Sequence, residues 1–314
     1  AFDRRPAGRP PSGRRLLGTE LMRPSTPDRA STPPTPPRLF AIDVDGTLLT
    51  SRHEVTEATA SAVRRVRAEG LEVVLTTSRP PLALWPILEA LGLADDVGDS
   101  ATDAAGQFTP AVFIGSQGAL VGSYARDGQL RVLDQQSMPV ALAQQVAAAG
   151  ARAGLSVNWY ARERWLVPRI DDLIRREAGI VACTPELADL STQTQGPDKV
   201  LLIAPKARQD LLDVVAARTP PGLVAVTSNP TYLEITRVGV DKARALARHC
   251  ARRGIPSAAV VAIGDGRNDL GMLAFAGTAV APANAHAEVL LVADLVTASN
   301  DEDGVARALD LLVP

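Results

Sequence analysis

The sequence predicts an α/β fold, a Rossmann-like parallel sheet interrupted by an inserted α+β unit. Three observations lead there. From Leu39 the chain reads strand, helix, strand: "LFAIDV", then "VTEATASAVRRVRAEG", then "LEVVLTT". That order favours a parallel sheet covered by helices on both faces. The same grammar returns after residue 240. Between the two lies a stretch with strand and helix signals of its own, too long to be a loop of a compact domain.

Each element has a local reason. "LFAIDV" is a continuous apolar run, suited to a strand buried on both faces. The following helix places Ala62, Val63 and Val66 at helical spacing, with Thr56 as its N-cap and Gly70 as its stop. In the inserted stretch, "ALVGSYARDGQLRVL" reads as a hairpin around Asp127-Gly128. "VALAQQVAAAGARAG" reads as a helix, and "KVLLIA" as a strand before the helix "KARQDLLDVVAAR". Further on, "DKARALARHCARRG" is a helix closed by Gly254, "AAVVAI" a strand, "GDGRND" a loop and "LGMLAFAG" a short helix. "TAVA" and "DLVT" are short strands, and Val305 to Leu312 a last helix. The expected organisation is a core of residues 39–118 and 233–314, an insert of 119–232, and a Pro/Arg-rich tail of 1–38. The tail cannot bury enough apolar area to offset its ordering entropy, so disorder is expected there. It lacks the apolar centre of a signal peptide, and a start at Met22 would leave it short.

Composition bounds the function. The chain has 314 residues and a net charge of −2, which gives no overall footprint for nucleic acid. The tail alone is basic, with eight arginines against Asp3, Glu20 and Asp28. No apolar run reaches the roughly 18 residues of a membrane span. Two cysteines, Cys183 and Cys250, make no disulfide framework and suit a reducing, cytoplasmic setting. Scattered His53, His249 and His286 offer little to zinc or to a Ser-His-Asp triad. Arginine is strongly preferred, and Lys199, Lys206 and Lys242 are the only lysines.

The chemistry sits at strand ends. "DVDGTLL" closes the first strand with Asp43 and Asp45, side by side at the carboxyl rim of the sheet, where α/β proteins bind ligands. Two such carboxylates about 4 Å apart repel by roughly 4 kcal/mol at an effective dielectric of about 20. A hard cation such as Mg²⁺, or a shared proton, would offset this. Gly46 permits the turn that follows. Alone, the stretch admits a catalytic reading or a turn-and-cap reading. A second acidic strand end, "VVAIGDGRND", brings Asp265, Asn268 and Asp269, and suggests one shared metal site.

With these residues in hand, the sequence resembles the haloacid dehalogenase superfamily of phosphohydrolases, in its Cof-like branch. The resemblance covers about 39–118 and 232–314 and rests on four ordered motifs. They are "DVDGTLL", then "VLTTSRP" with its threonine at Thr77, then Lys242 in "ITRVGVDKARAL", then "GDGRND"; the tail "VTASNDEDGVARAL" also matches. The resemblance implies a Mg²⁺-dependent phosphatase acting on phosphomonoesters of small metabolites, sugar or cofactor phosphates, through an aspartyl-phosphate. Asp43 would be the nucleophile and Asp45 the acid/base. Asp43, the backbone carbonyl of Asp45, Asp265 and Asp269 would hold Mg²⁺. Thr77, Lys242 and Asn268 would hold the phosphate, and the insert would be an α/β cap over the site. Ser78 replaces the branch's small glycine, and with Arg79 is a candidate substrate contact. "QGA" (Gln117 to Ala119) and "PANA" (Pro282 to Ala285) also depart from the branch's pattern, while Asn284 stays in place.

The expected partner is a small phosphorylated metabolite, with neither nucleic acid nor membrane, and the expected state a monomer or weak homodimer. A phosphomutase or dedicated sugar-phosphate phosphatase, separable by product analysis, and a non-catalytic phospho-ligand sensor are the alternatives. "NWYARERW", with Trp159, Tyr160, Arg162, Arg164 and Trp165, reads as alternating core and solvent positions of a strand pair and takes no site role.

Overall fold

The computed structural model describes residues 35–93, 111–125 and 128–313. Residues 1–34 of the expected tail and Asp127 of the expected hairpin turn lie outside the described residues. Along the chain, β1 (Leu39–Asp43) is followed by α1 (Glu57–Ala68), β2 (Glu72–Thr76) and α2 (Trp85–Ala90). Next come β3 (Val112–Gly115), β4 (Leu120–Tyr124), β5 (Leu130–Gln135), α3 (Val140–Arg152), β6 (Ser156–Ala161) and β7 (Arg164–Val167). Then follow α4 (Asp172–Val181), β8 (Glu186–Leu187), β9 (Lys199–Ile203), α5 (Asp210–Ala216), β10 (Leu223–Asn229) and β11 (Tyr232–Arg237). The chain ends with α6 (Lys242–Arg253), β12 (Val260–Ile263), α7 (Leu270–Phe275), β13 (Thr278–Pro282), α8 (Ala287–Val292), β14 (Leu295–Thr297) and α9 (Gly304–Leu312).

The strands form two sheets. The larger runs β14-β13-β12-β1-β2-β3-β4-β5, parallel from β14 through β3. Strand order reverses at its centre: β2 and β3 lie to one side of β1, and β12, β13 and β14 to the other. A crevice opens beyond the carboxyl ends of strands at such a reversal. Alternation along β1 explains its unbroken apolar run. Phe40 and Ile42 enter one buried cluster with Val63, Leu75, Phe113 and Leu309, whereas Leu39 and Ala41 enter another with Leu246, Val260 and Met272. The expected cap at Thr56 forms, its hydroxyl accepting from the Thr59 N–H at 3.2 Å, and the structure adds a second, Asp241 accepting from the Arg244 N–H at 2.7 Å. Such a cap is worth about 1 kcal/mol.

The second sheet runs β10-β11-β9-β6-β7-β8. Helices α3 and α5 cover one face, around Val146, Trp159, Leu202 and Leu212. Its other face gathers Tyr160, Trp165, Ile174 and Leu201 with Ala83 of the larger sheet's side. The β6–β7 strand pair does not alternate between core and solvent as expected. Every residue of β6 is buried, and so are Trp165, Leu166 and Val167 of β7. Trp159 packs on one face and Tyr160 and Trp165 on the other, and both faces are covered. Arg162 is exposed in the turn between the strands, and Arg164 at the start of β7.

The insert's limits differ from expectation. The β4–β5 hairpin belongs to the larger sheet, because β4 pairs antiparallel with β3 across the tight turn Ser116–Gly118. Strand β11 pairs antiparallel with β9 and β10, so the second sheet extends to Arg237. The excursion therefore runs from after Gln135 to Arg237 rather than over 119–232. Among the described residues no helix is long and apolar enough to cross a membrane. Both cysteines are free.

Candidate active site

Parallel pairing brings the acidic strand ends together. Ile42 of β1 is in register with Ile263 of β12, and Asp43 with Thr76 of β2. Asp43, Asp265 and Asp269 thus converge on one point, each offering a carboxylate oxygen within 4.8 Å of the others. Lys242, the first residue of α6, reaches them from across the crevice. Its side chain is fully buried, and Nζ donates to Oδ1 of Asp43 and, at 2.7 Å, to Oδ1 of Asp269. A buried ammonium is tolerable only with such partners.

Three carboxylates against one ammonium leave an anionic excess, and the titration of the cluster reflects it. Burial, then repulsion from Asp269, holds Asp43 well above the usual carboxylate range, against the pull of Lys242. Burial and Asp269 likewise raise Asp265, although the Thr47 hydroxyl donates to its Oδ1 at 3.0 Å. Burial works to lower Lys242, but the two carboxylates outweigh it and raise it. The glycines make room: Gly46 has φ +81°, and a Cβ there would lie 2.5 Å from Oδ2 of Asp265. The Gly266 N–H donates to Oδ2 of Asp269 at 2.8 Å.

Asp45 stands apart from this cluster. Its carboxylate receives Nε and Nη2 of Arg79 at 2.9 and 2.7 Å, a two-point grip that matches the guanidinium fork. Of the expected metal ligands, the carboxylate cluster therefore contains Asp43, Asp265 and Asp269; the resemblance invokes only the backbone carbonyl of Asp45. Arg79, a candidate substrate contact, is spent on Asp45 instead, with its side chain 11% exposed. Thr77 is buried, and its hydroxyl accepts from the Arg79 N–H at 3.0 Å. Ser78 and Asn268 line the cleft, and the Asn268 amide reaches Oε1 of Gln117 at 3.4 Å. Asn284 donates to the Gly46 carbonyl at 2.8 Å and steadies the first turn from β13.

The cleft above the cluster has a volume of about 590 Å³. Its floor is the acidic cluster, and its opposite wall is the second sheet, with Val224 and Val226 of β10 and Thr236 of β11. Sequence reasoning missed three contributors. Thr47 lies inside the first motif, and its hydroxyl could have been suspected. Gln117 sits in a left-handed conformation at φ 60°, which no local pattern announced. Wall residues of β10, Val224 and Val226, take no element or role from the sequence.

A parallel sheet with a lysine-bridged acidic cluster at its carboxyl rim defines a class, the phosphoryl-transfer hydrolases of α/β fold. The sequence profile of the haloacid dehalogenase-like hydrolases matches residues 40–309. The chain belongs to this family and is a phosphoric monoester hydrolase. It is 26% identical over 272 residues to 5-amino-6-(5-phospho-D-ribitylamino)uracil phosphatase YcsE of Bacillus subtilis (strain 168), covering 87% of this chain and 94% of that one. It is 26% identical over 283 residues to pyridoxal phosphate phosphatase YbhA of Escherichia coli (strain K12), covering 86% and 96%. The crystal structure of a haloacid dehalogenase-like hydrolase from Bacteroides thetaiotaomicron superposes with a TM-score of 0.77 at 25% identity, over 88% of this chain and 99% of that one.

Proposed function

We propose that the protein is a Mg²⁺-dependent phosphatase of small-metabolite phosphomonoesters, working through an aspartyl-phosphate on Asp43. One observation carries the reading: the cluster of buried Asp43 and Asp269, bridged by Lys242, with half-buried Asp265, opens into a cleft of about 590 Å³. The donor set suits Mg²⁺, because it is all carboxylate, lacks nitrogen or sulfur ligands, and has an anionic excess for a hard cation to balance. When bound there by Asp43, Asp265 and Asp269, Mg²⁺ shields the anionic nucleophile from the anionic ester.

The chain's own groups then divide the work. The Asp43 carboxylate attacks phosphorus; its O–P bond forms as the ester P–O bond breaks. The leaving alkoxide takes a proton from the Asp45 carboxyl, and Asp45 afterwards removes one from the water that releases phosphate. Arg79 orients Asp45 for both steps. Lys242 places a fixed positive charge where the equatorial oxygens gather negative charge, and the Thr77 hydroxyl and Asn268 amide support the phosphoryl group. The second sheet acts as a cap that excludes water and faces the leaving group. YcsE and YbhA, named for phosphate esters of a ribitylaminouracil and of pyridoxal, support a small-metabolite substrate.

The test is phosphate release by the purified full chain from a panel of phosphomonoesters, with Mg²⁺ and with EDTA. Release that needs Mg²⁺ and disappears in Asp43→Asn is expected. No release from any ester, or isomerised product in place of phosphate, would overturn the proposal.

A further inference from the structure

A buried lysine outside the acidic cluster reaches into the active-site turn. Lys199 opens β9 on the second sheet, and its Nζ donates at 2.7 Å to the carbonyl oxygen of Ser78, between Thr77 and Arg79. The same ammonium meets Oε2 of Glu234 on β11 at 3.2 Å, with the two side chains only 4% and 5% exposed. The Tyr160 ring lies against it, 5.5 Å from Nζ to centroid. Burying a lysine and a glutamate is costly unless their geometry is well met, and here the ammonium divides its donors between Glu234 of its own sheet and the Ser78 carbonyl of the other.

Its neighbour fastens the same strand to the chain's way in. Asp198, fully buried, accepts from the Gln135 amide at 2.8 Å, the Ser137 hydroxyl at 3.0 Å and the Arg162 N–H at 2.8 Å. Consecutive residues therefore hold the connection at one end of β5 and the catalytic turn after β2. Around them the two sheets share an apolar seam, with Leu82 and Ala83 packed among Tyr160, Trp165 and Ile174. The Cys183 thiol donates to the Leu82 carbonyl at 3.3 Å.

We propose that Lys199 is a positioning residue for phosphoryl transfer. By holding the Ser78 carbonyl it fixes the turn from which Thr77 faces the phosphate and Arg79 grips Asp45, so the turn takes its working form only with the second sheet seated. This rests on the roles proposed above for Thr77, Arg79 and Asp45. It also gives the second sheet a part in the chemistry beyond covering the cleft, since its arrival completes the acid/base pair.

The test separates the hydrogen bond from the buried charge. Lys199→Met alone strands Glu234 without its cation, so it lowers both stability and turnover. Lys199→Met with Glu234→Gln removes both charges and regains thermal stability. With p-nitrophenyl phosphate and Mg²⁺, the double variant has a kcat about tenfold or more below Glu234→Gln alone, the scale of a lost charge-assisted hydrogen bond. KM moves by less than about threefold. Equal kcat in the double variant and Glu234→Gln overturns the inference and leaves the proposed function standing. Absence of turnover in the unmutated protein overturns both.

Discussion

Replacing Asp43, the proposed nucleophile, should make the metal-free protein more stable while it destroys activity. Asp43 faces Asp265 and Asp269 within 4.8 Å, and Lys242 offsets about one of those repulsions. One uncompensated pair at that distance costs roughly 3 kcal/mol at an effective dielectric of about 20. Water entering the cleft makes this an upper bound. The amide of Asp43→Asn would still accept from Lys242 but would carry no charge. In EDTA at neutral pH, Asp43→Asn should therefore melt up to about 6 °C higher, taking about 2 °C per kcal/mol for a chain of this size. The pH dependence fixes the sign. The folded-state value of Asp43 lies above its unfolded value, so the unmutated protein loses stability as pH rises from the ordinary carboxylate range through that folded value. The advantage of Asp43→Asn should grow over the same interval. Saturating Mg²⁺ should reverse the order, because it stabilises the unmutated site and the variant lacks a ligand. Thermal unfolding monitored by circular dichroism, with EDTA and with Mg²⁺, reads all of this. An Asp43→Asn variant that melts below the unmutated protein in EDTA would refute the electrostatic reasoning.

Gly46→Ala would force a Cβ to 2.5 Å from Oδ2 of Asp265 at φ +81°, so turnover should fall at least about tenfold and stability by about 1–3 kcal/mol, read by initial rates and urea unfolding. Lys242→Met leaves the buried carboxylates of Asp43 and Asp269 and the half-buried one of Asp265 facing one another; in EDTA it should lose about 3 kcal/mol or more, regain much of it with Mg²⁺, and be inactive. At the other end of the sheet, burial would raise Glu72, but the hydrogen bond from His249 and the nearby Arg253 prevail and lower it from 4.5. A carboxyl lowered on folding contributes stability at neutral pH that is lost as pH falls through its folded value. Glu72→Gln should flatten the decline of the urea midpoint below about pH 4.5; an unchanged slope would remove that assignment.

The floor of the site was legible because its residues break a pattern. Carboxylates at Asp43 and Asp265 close or follow apolar strands, where bulk propensity expects nothing charged, and Asp269 follows in the helical turn Arg267–Asp269. Lys242 stood out against the arginine-rich background, and parallel pairing then brought the four together. What the pattern did not carry was partnership. Asp45 and Arg79 were both named, yet nothing in their spacing said that one would hold the other. The β4–β5 hairpin alternates as a strand pair would in either sheet, and its assignment to the larger one comes from the turn at Ser116–Gly118. There Gly118 lies so near Asp241 that a Cβ would sit 2.3 Å from its carbonyl. Lys199 reads as an ordinary strand position in "KVLLIA" and Glu234 carries no reading at all, because a long-range ion pair leaves no local trace.

The central claim is that Asp43 carries the phosphoryl group between ester and water. Rapid acid quenching of the enzyme with a phosphoryl-labelled ester and Mg²⁺, followed by peptide mapping, tests it most directly. Transient label on the Leu39–Asp43 strand, at Asp43, is the predicted result. Full turnover with no labelled protein at any time, or label at another residue, would contradict it.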